Sequence, residues 1–202
     1  YPECLSWEQL PDFDGEGRLQ ACGVVQNGAT SQNFYLLGGY APATDTSLCV
    51  VHDDAIVYDA NGKRWFHTSK FVVDGERKSL VGANAIVSGS TNIVCVGGVD
   101  REVFEAAVNR PNLIKQAEKQ KDIASLTVLL NDADSYMKHD PDWYEFQDEL
   151  LIYNTITDEW VTESSSEKLS RAGAGLVAYN GHWIVVNGET KPGIRSSDVT
   201  AV

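Results

Sequence analysis

Chemistry in this chain is most concentrated in one stretch, Asn187-Gly188-Glu189-Thr190-Lys191-Pro192-Gly193-Ile194-Arg195. Glu189 precedes Arg195 by six positions, and the turn pair Pro192-Gly193 between them can fold both side chains to one side of a loop. A guanidinium offers a planar fork suited to a carboxylate. A glutamate can take a proton as a general base. By residue type alone the loop is either a surface Glu–Arg ion pair or a site for an anionic substrate. Lys191 is either a further cationic contact or a solvated lysine.

The elements around the loop belong to a repeat. An apolar run, residues 183–186, leads into Asn187-Gly188 where two earlier runs, 34–37 and 93–96, lead into Gly38-Gly39 and Gly97-Gly98. Tyr58 and Trp65 are seven positions apart, as are Tyr153 and Trp160. The intervals Gly23 to Gly38, Gly82 to Gly97 and Ala172 to Asn187 are each 15 residues. Asn27-Gly28, Asn61-Gly62 and Asn180-Gly181 lie between apolar runs and suit tight type I′ hairpins. Self-similarity of this kind predicts four short strands per unit. We expect strands at 20–26, 33–37, 55–59 and 64–68, then at 83–88, 92–96, 149–154 and 159–163. An incomplete unit follows at 173–179, 182–186 and 198–202. Residues 5–10 read as a stray last strand with Trp7 in the Trp65 position. The inner runs are almost wholly apolar, as expected for strands covered on both faces.

One insertion breaks the period. Gly39 to Tyr58 is 19 positions and Gly98 to Tyr153 is 55. The extra segment, about 101–146, is helical in pattern, with Pro111 expected to separate two helices. It is either a packed ornament or a lid or interface element.

Bulk properties narrow the function classes. A formal net charge of −13 opposes nucleic-acid binding and requires a local basic site for any anionic substrate. No apolar run has the length of a membrane helix. The chain opens Tyr1-Pro2-Glu3, without methionine or a signal-like stretch, which suggests a processed chain. Cys4, Cys22, Cys49 and Cys95 form no zinc spacing; Cys95 reads as a core residue, and Cys4 and Cys22 could pair in an oxidising compartment. His52, His67, His139 and His182 show no metal spacing, and Asp132-Ala133-Asp134 lacks the register of a calcium loop. Gly173-Ala174-Gly175-Leu176-Val177-Ala178 matches a dinucleotide fingerprint formally, but a hairpin turn follows it where a helix is needed.

The diglycines with Tyr and Trp at fixed offsets resemble the kelch repeat, whose blades build β-propellers. The implied fold is all-β. It comprises a stray strand at 5–10, a blade at 20–73, a blade at 83–163 carrying the insertion, and an incomplete blade at 173–202. Three blade equivalents leave open sheet edges, so further blades or a second copy of the chain are expected to complete the ring. From about Ala83 onward, the 187–195 motif, Gly97-Gly98-Val99-Asp100 and the insertion resemble the kelch-type N-acetylneuraminate epimerases, the sialic acid mutarotases, with their cyclically permuted branch. Asp100 departs from the asparagine expected there.

That resemblance implies a propeller of about six blades that interconverts the anomers of N-acetylneuraminate. Glu189 and Arg195 would be catalytic, and Arg195, Lys191, Asn187 and Arg101 would bind a small sugar acid. Arg171 is a further candidate for the funnel wall. No cofactor and no metal is implied, nor a nucleic-acid or membrane partner, and the expected setting is periplasmic or otherwise exported. The competing reading is a non-catalytic kelch module that binds a protein or glycan.

Overall fold

The computed structural model describes residues 6–202. The first sheet contains β1 (Cys22–Asn27), β2 (Gln32–Leu37), β5 (Ala55–Asp59) and β6 (Arg64–His67), with a short hairpin of β3 (Tyr40–Ala41) and β4 (Val50–Val51) in its long connection. A second hairpin, β7 (Val72–Val73) and β8 (Glu76–Arg77), leads to the next sheet. That sheet contains β9 (Asn84–Ser88), β10 (Asn92–Val96), β11 (Glu149–Asn154) and β12 (Glu159–Ser165). Its connection carries α1 (Arg101–Gln120) and α2 (Ile123–Tyr136), then the 3-10 turn Pro141–Tyr144. The third sheet has β13 (Gly175–Tyr179), β14 (His182–Val186) and β17 (Val199–Ala201), with the hairpin β15 (Glu189–Lys191) and β16 (Ile194–Arg195) between the last two. All pairings within the sheets are antiparallel. The architecture is part of a kelch-type β-propeller, and its sheets do not close into a ring among the described residues.

Side-chain alternation explains why the inner strands are apolar throughout. Along β10, Ile93 and Cys95 enter the core shared with the first sheet, alongside Tyr35, Leu37, Val57 and Phe71. Val94 and Val96 enter the core shared with the third sheet, alongside Leu169, Ala174 and Val185. A strand between two blades buries both faces, so a period of two brings apolar residues to each. Tyr58 pairs with Trp65 across the β5–β6 ladder, and Tyr153 with Trp160 across β11–β12, with ring centroids 5.1 and 4.8 Å apart.

Left-handed backbone marks equivalent points in each blade. Gly38, Gly97 and Asn187 have φ of 61°, 68° and 58°; their successors Gly39, Gly98 and Gly188 have 82°, 111° and 99°. A Cβ on Gly97 would lie 2.2 Å from the Arg171 carbonyl oxygen of the next blade, so that position also needs glycine for space. Asn187 is exposed and adopts the same φ with its side chain accommodated, since asparagine tolerates this region better than most residues. At the entrance to each inner strand, Gln20, Gly82 and Gly173 repeat a second positive φ of 54°, 69° and 63°. The Gly82 N–H donates to the Gln20 carbonyl at 3.1 Å and the Gly173 N–H to that of Gly82 at 2.7 Å, linking three blades around the mouth of the funnel.

Several expectations are corrected. Behind the constant 15-residue interval the sheet register varies: Cys22 faces Leu37, Asn84 faces Val96 and Gly175 faces Val186. The joining turns differ in length, spanning 28–31, 89–91 and 180–181. Of the three Asn-Gly pairs expected to form hairpin turns, Asn180-Gly181 alone has positive φ at both residues, at 49° and 79°; the turn holding Asn61-Gly62 instead places Lys63 at 50°. Pro111 lies inside α1, and the helices part at Lys121, φ 58°, and Asp122, whose side chain caps α2. Residues 6–10 form no strand and Trp7 is fully exposed, because no described strand lies beside them to supply ladder hydrogen bonds. Cys22, Cys49 and Cys95 are buried; a Cys4–Cys22 pairing lies outside the described residues.

Gly97→Ala and Gly89→Ala separate space from backbone strain. Gly89 also has positive φ, 57°, but open space around it. Chemical denaturation should show a loss of about 1 kcal/mol for Gly89→Ala and at least twice that for Gly97→Ala. Equal losses would mean that the close approach to Arg171 costs nothing.

Candidate functional site

The end of the propeller that carries the left-handed pairs holds a cleft of about 560 Å³. Its floor is formed by the entrances to the three inner strands, at Gln20-Ala21, Gly82-Ala83-Asn84 and Ala172-Gly173-Ala174. One wall is apolar and aromatic and comes from the insertion, with Val103, Phe104, Tyr136, Tyr144 and Phe146. Glu189, Pro192 and Arg195 of the β15–β16 hairpin also line it.

Glu189 stands directly after the left-handed pair, the place taken by Tyr40 and Val99 in the other two blades. Its backbone is fixed by a two-way bridge: Glu189 N–H to the Ala172 carbonyl at 2.7 Å and Ala172 N–H to the Glu189 carbonyl at 2.9 Å. The hairpin register then sets Arg195 opposite Glu189, and Arg195 Nη2 donates to Glu189 Oε1 at 2.9 Å. Glu189 is 28% exposed in its side chain and Arg195 is 68% exposed. An ion pair this accessible contributes little to stability, at most about 1 kcal/mol. Its one short contact leaves the other guanidinium donors for an incoming anion.

The other expected site residues have different surroundings. Lys191 Nζ donates to the carbonyls of His139 at 2.6 Å and Met137 at 3.3 Å, and it is not part of the cleft lining. Asn187 contributes its backbone: its carbonyl accepts from Arg171 Nη1 at 3.0 Å. Arg171 is buried behind that strand end, with Asp198 4.0 Å from its Nη2. Asp100 borders the cleft, and its carboxylate caps α1 by accepting from the Val103 N–H at 2.8 Å. Arg101 turns toward the first blade, 3.8 Å from Asp53 and 3.5 Å from Glu105. Gln20, Asn84, Tyr136, Tyr144 and Phe146 line the cleft without having been singled out from the sequence. Of these only Gln20 carried a signal, as a side chain where the other blades have glycine.

The insertion is a packed wall. Along α1, Glu105 Oε1 accepts from Val51 N–H at 2.9 Å and Asn109 Oδ1 from Cys49 N–H at 2.6 Å, while Asn112 Nδ2 donates to the Thr44 carbonyl at 2.7 Å. Phe104 packs edge-on to Tyr40 with centroids 4.9 Å apart. These contacts fix α1 to the preceding blade, beside the buried carboxylates Asp53 and Asp54.

Comparison with known proteins gives the chain a family. The family model described as N-acetylneuraminate epimerase matches residues 3–202. The chain belongs to that family. Among curated relatives, the N-acetylneuraminate epimerase of Yersinia enterocolitica is 27% identical over 195 residues, covering 96% of this chain and 45% of the relative. Those of Vibrio vulnificus and Pasteurella multocida are 25% and 28% identical, with 47% and 46% of their lengths covered. This chain therefore spans about half the length of the curated relatives it matches. A solved structure described as "Structure of YjhT" superposes with a TM-score of 0.75 at 22% identity, covering 98% of this chain and 55% of the other, and it supports the fold.

The charge cluster behind α1 gives the protein an acid-sensitive element. Burial acts to raise the Asp54 carboxyl, but hydrogen bonds from His67 and Arg18, with the charges of Arg18 and Lys70, outweigh it and hold the group below its ordinary 3.8. A carboxyl depressed in the folded state contributes stability above its unfolded value and loses it as pH falls through the folded value. Asp54→Asn should therefore cost about 3 kcal/mol near neutrality, and the gap to wild type in thermal melts should narrow below about pH 4. A gap constant down to about pH 2 would contradict the assignment.

Proposed function

We propose that this chain forms part of a sialic acid mutarotase, an enzyme interconverting the α and β anomers of N-acetylneuraminate or a related sugar acid. The observation that carries the reading is the 2.9 Å Glu189–Arg195 contact at the edge of the cleft, in a chain of the epimerase family. Further blades, from the same protein or a second copy, would cover the open sheets and complete the funnel. An exported setting belongs to the same proposal and rests on the family resemblance.

Mutarotation of a sugar acid consists of proton transfers around a reversible ring opening. Arg195 holds the substrate carboxylate, exchanging part of its contact with Glu189 for a fork on the ligand. Glu189 then removes the proton of the anomeric hydroxyl. That oxygen becomes the keto carbonyl as the bond to the ring oxygen breaks, and the ring oxygen takes a proton from water or a second acid. Rotation presents the other face of the carbonyl, and the reverse transfers close the ring as the opposite anomer. Neither transfer calls for a metal or an organic cofactor. The local cation Arg195 also answers the long-range repulsion of an anion by a chain of net charge −13.

Freshly released α-anomer, followed by proton NMR with the intact protein, tests this directly. Equilibration should be faster than in buffer, and Glu189→Gln should lower kcat by about 10²–10⁴. Arg195→Gln should act mainly on KM. No acceleration by wild type, or full activity in Glu189→Gln, would refute the reading.

A further inference from the structure

We propose that Lys191 is a positioning residue: by binding the carbonyls at the end of α2, it makes the helical insertion of one blade the buttress of the Glu189–Arg195 hairpin of the next. The hairpin is too small to hold itself. Its ladder consists of two pairings, Glu189 with Arg195 and Lys191 with Ile194, separated by an irregularity. An isolated hairpin of any length is marginal in water.

External ties hold it at its base and at its tip. At its base is the bridge between Glu189 and Ala172, and the Ser196 N–H donates to the Gly188 carbonyl at 2.8 Å. At its tip, Lys191 Nζ donates to His139 at 2.6 Å and Met137 at 3.3 Å. A Cβ on Gly193 would lie 3.7 Å from Met137 Cε, in ordinary contact, so the turn itself rests against the same segment. Met137 is the C-cap of α2, and a helix C-terminus presents unpaired carbonyls and a partial negative charge. An ammonium is the complement to both. Basic residues in the last turn of α2 itself are absent, so Lys191 supplies from another blade the cation that helix lacks.

The receiving segment is rigid in its own right. His139 stacks on Trp143 with centroids 4.0 Å apart, and Trp143 meets Tyr136 and Tyr144 edge-on. Tyr144 is buried and its hydroxyl donates to the Tyr136 carbonyl. Lys191 therefore connects the hairpin to an aromatic knot whose Tyr136 and Tyr144 also line the cleft. The separation between Glu189 and those rings is set by this tie.

Hydrogen exchange of the substrate-free protein tests the positioning without reference to any reaction. Lys191→Met should speed exchange of the Glu189, Arg195 and Ser196 amides by about tenfold or more, with global melting little changed. Lys191→Arg, which can still donate to both carbonyls, should restore most of the protection. Lys138→Met removes a neighbouring lysine paired only with Asp134 at 2.6 Å and should leave the hairpin unchanged. The catalytic arm rests on the mutarotase reading: there, Lys191→Met should lower kcat up to about a hundredfold with a smaller change in KM. Unchanged hairpin exchange in Lys191→Met, or exchange as fast in Lys191→Arg as in Lys191→Met, would overturn the proposal. A loosened hairpin in a protein that does not speed mutarotation would uphold Lys191 as the buttress and reject the mutarotase reading alone.

Discussion

Two consecutive left-handed residues end the second strand of each of the three described blades, and the rest of this end of the molecule depends on that constraint. The reversal of the chain at Gly38-Gly39, Gly97-Gly98 and Asn187-Gly188 sends the next residue back across the entrance of its own inner strand. In two blades that residue is Tyr40 or Val99 and contributes packing. In the third it is Glu189, and the same two-way backbone bridge that holds Tyr40 to Leu19 in the first blade holds a carboxylate at the cleft. A carboxylate is thus placed at a position whose backbone the repeat already fixes, which is how a site can gain precision without a dedicated scaffold.

The long insertion serves that position from both sides. Glu105, Asn109 and Asn112 of α1 satisfy backbone groups of the preceding blade, and the end of α2 receives Lys191 from the following one. A single excursion between two strands therefore spans three blades at the funnel mouth. Its aromatic face gives the cleft an apolar wall alongside a charged hairpin, a combination suited to a ligand with one anionic group and a less polar body.

Much of this was legible in the sequence because repeated packing leaves repeated residue types. The Tyr58–Trp65 and Tyr153–Trp160 pairs and the doubly apolar β10 follow from blades packing on both faces, and they appear in the structure as expected. The juxtaposition of Glu189 and Arg195 was legible because a Pro-Gly turn separates them. Features set by partners distant in sequence were not. Arg101 was expected at the ligand and lies 3.8 Å from the buried Asp53 of the preceding blade, and Lys191 finds carbonyls more than fifty positions earlier. Turn lengths changed silently from blade to blade, so an interval of constant length concealed a changing register. Pro111 suggested a break, but the helix continues through it to the left-handed Lys121, where the backbone geometry itself ends the element.

The central claim is that the hairpin presents Arg195, beside Glu189, to the carboxylate of a sugar acid. Calorimetric titration of the intact protein with N-acetylneuraminate and with its methyl ester, in wild type and in Arg195→Gln, isolates that contact. The account predicts that wild type binds the acid at least about tenfold more tightly than the ester, the scale of a charge-assisted hydrogen bond, and that Arg195→Gln loses the preference. Equal affinity of wild type for acid and ester, or a preference that survives in Arg195→Gln, would contradict it.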